Sequence, residues 1–529
     1  MLLEPDDRPM TKKPNFLFLI TDQQRADWLG CAGHPVLKTP NIDAIAAQGV
    51  RFDRFYAASP VCMPNRASLL TGRYPSLHGL RYNGCRLPLS ANTFVSLLGK
   101  AGYHTAAIGK SHLQPFTGLP PMGRDPALAD VTEEAWAADK GDYGEEEADR
   151  YLPDGRYEIT TPYYGYQHVD MVTEHGDRCG GHYLQWFRQN APDWEALHDP
   201  TNERPHNYSC PQAYRTPIPE DLYPTAYVRD RAIDYIRARA AEDQPFFAFV
   251  SFPDPHHPFN PPGKYWDMYS PDDFEVSLPY EAHRNPTPPM QFLYENWKNK
   301  GKQMTAQTAM MLDNQQVKEA MALSAGMMGF IDDAVGDIMQ ALKATGAYED
   351  TVIVYNSDHG DYLGDYNMIL KGALQFESIT RVPFIWSDPQ HREPRETKAL
   401  ASTVDIGATI LERAGLKPFN GNQGVSFLDA VLSGKDARED LLVEYNDGGS
   451  RLGFAKAARV RSVITEQWRY TLYLDQDWGE LYDLKNDPSE THNLWNEADY
   501  AADRARLSER LNHLLTAQMD ESPLSDRLA

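Results

Sequence analysis

Four places in this sequence set chemistry-bearing residues directly after an apolar run: Asp22 and Gln23, Lys110 and His112, His256 and His257, and Asp358 and His359. Carboxylate, amide and imidazole groups are oxygen and nitrogen donors suited to one divalent cation, so Asp22, Gln23, Asp358 and His359 form a candidate ligand set. Taken singly, each reads equally well as an N-cap, a surface carboxylate or a hydrogen-bonded core histidine; four together at strand ends favour a metal site. A further candidate, Cys62, stands just ahead of the helical run from Pro64 to Leu70. A thiol beside a helix N-terminus has a lowered pKa and becomes reactive. The other reading is a buried small hydrophobe, the commoner fate of a free cysteine. Residue chemistry alone does not choose between them.

The elements that must position these residues alternate between strand and helix. Asn15 to Thr21 is a continuous apolar run, the kind buried on both faces of a parallel sheet. A helix follows near 41–48, with Ile42, Ile45 and Ala46 at helical spacing; Pro64 to Leu70 makes a short one, ended by Gly72. A helix over 93–100 and a strand over 103–108 come next. A helix over 225–240, a strand over 245–252, a long helix over 317–345 and a strand over 351–356 continue the alternation. The pattern predicts an α/β fold: a large, mostly parallel, doubly wound sheet flanked by helices. In such sheets the carboxyl ends of the strands share one edge, and ligands bind there. Two stretches, about 114–221 and 259–315, lose the pattern and are expected to be long-loop insertions. In the tail, 459–465 and 469–474 alternate like a hairpin, with a strand over 480–484 and a helix near 503–518 after them. This divides the chain into residues 1–447 and a small C-terminal α+β domain, 448–529.

Of 529 residues, 41% are hydrophobic and 24% charged, as in a soluble protein with a sizeable core. The formal charge of -24 argues against a nucleic-acid partner, which needs clustered Lys and Arg; an anion can still bind in a locally basic pocket. No apolar stretch approaches the ~20 residues of a membrane helix. Met1 to Met10 carries Glu4, Asp6 and Asp7 instead of the basic opening of a secretory signal, and Met10 is an alternative start. The five cysteines, 31, 62, 85, 179 and 210, are odd in number and irregularly spaced, which suggests neither a disulfide framework nor a zinc cluster. A cytoplasmic protein with no membrane partner is expected, and a homo-oligomer in which 259–315 packs as an arm on another subunit.

The run Cys62-Met63-Pro64-Asn65-Arg66-Ala67-Ser68-Leu69-Leu70-Thr71-Gly72-Arg73 resembles the sulfatase family pattern C-x-P-x-R followed by A-S-L-L-T-G-R. Further matches come in family order: Thr21-Asp22, Gly109-Lys110-Ser111-His112-Leu113, His256-x-Pro258, Ser357-Asp358-His359-Gly360, and Lys371 leading to Glu377-Ser378-Ile379-Thr380-Arg381-Val382-Pro383. The tail, with Gly479 to Leu484 and Asp487-Pro488-Ser489-Glu490, is similar to the family's C-terminal domain. The resemblance leaves out only the two insertions. It implies an alkaline phosphatase-like fold, a divalent metal (Mn²⁺ or Ca²⁺), and conversion of Cys62 to formylglycine by a separate formylglycine-generating enzyme. It implies hydrolysis of a small-molecule sulfate ester of arylsulfatase type through a covalent sulfo-enzyme intermediate. Asp22, Gln23, residue 62, Asp358 and His359 would ligate the metal; Arg66 and Lys110 would hold the formylglycine oxygens. His256 and Lys371 would bind sulfate and protonate the leaving alcohol, His112 would take the proton that releases sulfate, and Asn83 would touch the substrate.

The sequence departs from that pattern in three ways. Many sulfatases carry Asp where Gln23 stands and Asn where His359 stands. The phosphonate monoester hydrolases, which share the formylglycine chemistry, have this Asp-Gln and Asp-His set, a less anionic and softer site that leans to Mn²⁺. Against that, Lys110 and His112 are the sulfatase pair, so sulfate monoesters are expected first, with phosphonate monoesters or phosphodiesters as the alternative or a side activity. Thirdly, His257 neighbours His256 and shares its claim to the role. Two other classes stand beside these: an anion-binding protein that keeps Cys62 as a thiol, and a metal-free cysteine hydrolase.

Overall fold

The structure is a computed structural model that describes residues 13–119, 140–301 and 308–527. The alternative start at Met10 and parts of both expected insertions lie outside the described residues.

Nine strands form the main sheet: β1 (Asn15–Thr21), β2 (Val50–Phe52), β3 (His104–Lys110), β4 (His168–Thr173), β5 (Gly180–Gly181), β6 (Phe246–Ser251), β7 (Thr351–Ser357), β8 (Phe384–Ser387) and β9 (Arg395–Thr397). Their spatial order is β9-β2-β8-β7-β1-β6-β3-β4-β5. The central run β7-β1-β6-β3-β4 is parallel throughout, while β8 and β5 pair antiparallel with β7 and β4. The apolar run of β1 explains its central place. Leu17 and Leu19 enter one core with helices α4 (His182–Asn190), α5 (Pro224–Ala240) and α6 (Asn314–Ala344). Phe16, Phe18 and Ile20 enter a second core with α2 (Cys62–Thr71), α3 (Phe94–Lys100) and α7 (Ile406–Arg413), while α1 (Pro40–Ala46) sides with the first. Each such side chain contributes about 1.5–3 kcal/mol by leaving water, so β1 is fixed from both faces. This is the expected mostly parallel, doubly wound sheet.

Two expectations need correction. The 114–221 stretch is not only loops: β4 extends the main sheet by pairing parallel with β3 from Ala106↔His168 to Lys110↔Val172, and α4 packs in the core. Its buried apolar run, with Val169, Met171 and Val172, is interrupted by the equally buried Asp170, which Arg156 and His168 hold; that polar interruption hides the strand. The small sheet also starts earlier than residue 448. It consists of β10 (Asp440–Asn446), β11 (Arg459–Thr465), β12 (Trp468–Tyr473) and β13 (Gly479–Asp483), antiparallel in that order. Helix α8 (Ala501–Ala517) covers it through Leu507 and Leu511.

Candidate active site

Every strand end singled out in the sequence meets at one edge. Asp22 N–H donates to Asp254 O (3.1 Å) and Asp358 N–H to Thr21 O (3.2 Å), which ties the ends of β1, β6 and β7 together. The end of β3 is fitted by Gly109: its φ is +106°, and a Cβ there would lie 1.9 Å from Ser251 O, so only glycine lets β3 approach β6 and aim Lys110 inward. Beyond it, the backbone N–H groups of His112, Leu113 and Gln114 donate to the buried Glu146 carboxylate at 2.8–3.1 Å. This fixes His112 in a left-handed conformation, φ 59°.

Cys62 is the first residue of α2, after an extended Val61 (φ -144°, ψ 137°), and is buried. Lys371 Nζ lies 3.6 Å and Asn83 Nδ2 3.8 Å from its Sγ. The same Nζ donates to Gln23 Oε1 (2.7 Å) and lies 2.9 Å from His256 Nε2 and 3.2 Å from His359 Nε2. Arg66, one turn along α2, braces the strand ends from below: Nε donates to Asp358 Oδ2 (2.8 Å), and Nη1 to Lys110 O and Ser251 Oγ (both 2.9 Å). Lys110 pairs with Asp22 Oδ2. Gln23 turns its amide nitrogen to Asp361 and to His257 Nδ1 (3.3 Å). His257 therefore meets Gln23, and His256 meets Lys371.

The electrostatics follow from burial and neighbours. Burial raises the Cys62 thiol, but the Lys371 ammonium and hydrogen bonds from His112, His175 and His256 outweigh it and hold the thiol well below its usual range. Burial likewise opposes ionisation of Asp22, and Lys110 reverses that, leaving it well below the carboxylate range. Asp358 is raised, by burial and by the charge of Asp22. Burial and the nearby Lys110 hold His112 down to about 3 and His175 to about 4, so both imidazoles are neutral at physiological pH. His256 and His257 are lowered, first by burial.

The ligand atoms of Asp22, Cys62, Asp358 and His359 lie within 4.8 Å of one another. Asp22 Oδ1 is buried with no hydrogen-bond partner among the described residues, and His359 Nε2 stands 3.6 Å from it and 3.7 Å from Asp358 Oδ1. His359 Nδ1 is turned to Gly360 O (2.8 Å), leaving Nε2 facing the carboxylates. A buried, unpartnered carboxylate oxygen beside a second carboxylate and an imidazole fits a divalent cation.

The sequence reading missed His175. It stands just past the end of β4, a fifth strand end on the same edge. Its ring stacks on His256 (centroids 3.5 Å, 18°) and its Nε2 meets Lys110 Nζ. Glu146, which shapes the His112 turn, was missed as well. The rule that found Asp22 and Lys110 would have found His175 had β4 been recognised.

Comparison with known proteins agrees with this geometry. The family model described as Sulfatase matches residues 14–151 and 155–416, and the one described as N-sulphoglucosamine sulphohydrolase, C-terminal, matches 364–517. An arylsulfatase of Clostridium perfringens (strain 13 / Type A) is 28% identical over 493 residues, covering 92% of this chain and 91% of that protein. The multifunctional alkaline phosphatase superfamily protein PehA of Trinickia caryophylli is 26% identical over 548 residues, covering 95% and 96%. Among solved structures, the phosphonate monoester hydrolase of Agrobacterium radiobacter superposes with a TM-score of 0.75 at 28% identity, covering 97% of this chain and 98% of that one. The Sulfatase match takes in most of the chain and all of the strand ends that build the site, and the chain belongs to the sulfatase family of hydrolases.

Proposed function

We propose that this enzyme hydrolyses sulfate monoesters, with residue 62 acting as formylglycine after oxidation of its thiol. The observation that carries this reading is the set of cationic and imidazole groups around one atom: Lys371 lies 3.6 Å from Cys62 Sγ, and His112, His175 and His256 reach the same sulfur. Sγ marks where the formylglycine oxygens would branch from Cβ. Asp22, Gln23, Asp358 and His359 would hold one divalent metal, which would supply Lewis acidity to those oxygens. Lys371 and His256, 2.9 Å apart, bind the sulfate oxygens, offset charge as it develops, and deliver a proton to the leaving alcohol. Arg66 and Lys110, which hold Asp358 and Asp22 in place, would also hold the residue 62 oxygens. His112, kept neutral by burial, takes a proton from the residue 62 oxygen as sulfate departs.

Sulfate is put first because Lys110 and His112 are the pair that sulfatases carry at these positions. Phosphonate monoester or phosphodiester hydrolysis is the second reading, favoured by Gln23 and His359 and by the 28% identity to the phosphonate monoester hydrolase of Agrobacterium radiobacter. The test uses protein co-expressed with a formylglycine-generating enzyme and reconstituted with a single defined metal. Mass of the Cys62 peptide must show an aldehyde in place of the thiol, and an aryl sulfate must turn over faster than the matching aryl phosphonate. A large phosphonate preference overturns the substrate choice; full activity in a protein that keeps its thiol overturns the nucleophile.

A further inference from the structure

Cys62 belongs to a second group of ligand atoms on the other side of Asp22. Asp22, Cys62, His175 and His256 offer a carboxylate oxygen, a sulfur and two ring nitrogens, all within 4.8 Å of one another. The first group, with Asp358 and His359, is the one the family chemistry uses. Both groups contain Asp22 and Cys62; the second has two imidazoles where the first has a carboxylate and an imidazole, which makes it the softer set.

The two histidines are oriented for coordination. His256 turns Nδ1 to the carbonyl of His257 (2.6 Å), which makes Nδ1 the protonated nitrogen and Nε2 the acceptor. A carbonyl fixing the far nitrogen of a ligand imidazole is the usual outer support of a metal site. That acceptor is capped by Lys371 Nζ at 2.9 Å. His175 Nε2 is capped in the same way by Lys110 Nζ and stands 3.9 Å from Asp22 Oδ2. The stacked rings carry the two nitrogens side by side toward Asp22 and the sulfur. The ammonium groups of Lys371 and Lys110 stand against these ring nitrogens, in the place that one dication would take.

We infer that the unconverted, thiol form of this enzyme binds Zn²⁺ between Asp22, Cys62, His175 and His256, a four-ligand Asp-Cys-His-His site of the type zinc favours. This site shares Asp22 with the catalytic metal site, so zinc in the thiol form excludes the catalytic metal. Conversion of Cys62 to formylglycine removes the sulfur and with it the site. The consequence goes beyond hydrolysis: molecules that escape conversion are held as a zinc-bound, inactive pool, and this holds whatever ester the mature enzyme cleaves.

The experiment uses full-length protein produced without the activating enzyme and shown by mass to carry an intact thiol at position 62. Titration with Co²⁺ under anaerobic conditions reports directly on ligation: a thiolate–cobalt charge-transfer band in the near ultraviolet and intense tetrahedral d–d bands are expected, and Zn²⁺ should bleach them. Cys62→Ser should abolish the charge-transfer band. His175→Gln should weaken zinc binding at least tenfold, while Asp358→Ala should keep the band. The formylglycine form should show none. Folding of each variant is checked by circular dichroism, and His175→Ala provides a second variant at that position. Two results overturn the proposal: no charge-transfer band in the thiol form, or a band that survives both His175 variants and is lost with Asp358→Ala, which would put the cation among Asp22, Asp358 and His359.

Discussion

Replacing Lys371 tests the catalytic reading most directly. The side chain is buried, and its ammonium donates to Gln23 Oε1 at 2.7 Å while facing His256 Nε2 and Cys62 Sγ. Lys371→Ala removes the charge but also leaves a void, so Lys371→Met, which keeps most of the volume, is the cleaner companion. Loss of one preorganised donor aimed at developing charge costs about 2.7–4 kcal/mol in the transition state, on the order of 10²–10³ in kcat. The partner lost, Gln23 Oε1, belongs to a proposed metal ligand, but Gln23 stays anchored through its amide nitrogen to Asp361. Metal content should therefore hold at the wild-type level. The assay is kcat/KM on two aryl sulfates that differ in leaving-group acidity, with metal content and formylglycine content measured on the same samples. The loss should reach about a hundredfold or more and be larger for the poorer leaving group, because Lys371 and His256 are asked to supply its proton. Activity within threefold of wild type at full metal and formylglycine content would refute the reasoning; loss of metal would make Lys371 a support of the metal site instead.

Two further outcomes follow from the same geometry. His175→Ala should lower kcat by on the order of 10- to 100-fold, since the ring packs on His256 and bonds Lys110 and small misplacements of catalytic groups are expensive; an unchanged single-turnover rate would remove His175 from the reaction. His78 is buried near the far end of α2, 3.0 Å from Ser68 Oγ, and burial holds it down to about 3, against an ordinary value of 6.5. Its charged form is favoured only on unfolding, so stability is full above pH 6.5 and falls as pH drops toward 3, by about 1.4 kcal/mol per pH unit for this one site. His78→Gln should flatten the acid decline of the thermal midpoint by that share, and an unaltered decline would show that the imidazole charges in the folded state.

What was legible in the sequence were residues whose local pattern carried the signal. The run from Phe16 to Ile20 needs burial on both faces, and the structure buries Leu17 and Leu19 on one and Phe16, Phe18 and Ile20 on the other. The polar residues after β1, β3, β6 and β7 are brought to one edge by parallel pairing alone. His175 and Glu146 were hidden because their position depends on the pairing of β3 with β4, a contact about 60 residues apart along the chain that no local periodicity encodes. The early start of the small sheet was hidden for a similar reason. The seven residues of β10 are all buried, so they lack the in-out alternation that marks β11.

The charges around residue 62 suggest why one chemical change is sufficient to switch this site on. In the thiol form, Lys110 is engaged with Asp22 and Lys371 faces the Cys62 sulfur, each of them a cation offset by a nearby anion. Such a pocket has little charge to spare for a sulfate ester. On the proposed reading, oxidation of the thiol to an aldehyde would delete the anion beside Lys371. A divalent metal held by Asp22, Gln23, Asp358 and His359 would compete with Lys110 for Asp22. Both ammonium groups would then be free to face the substrate, in surroundings where a charge acts more strongly than in water. The modification that creates the nucleophile would thus also create the affinity for its anionic target. On this argument a Cys62→Ser variant, which also lacks an anion beside Lys371, should be inactive yet bind inorganic sulfate more tightly than the thiol form at the same metal content; an affinity no tighter than that of the thiol form would sink the argument.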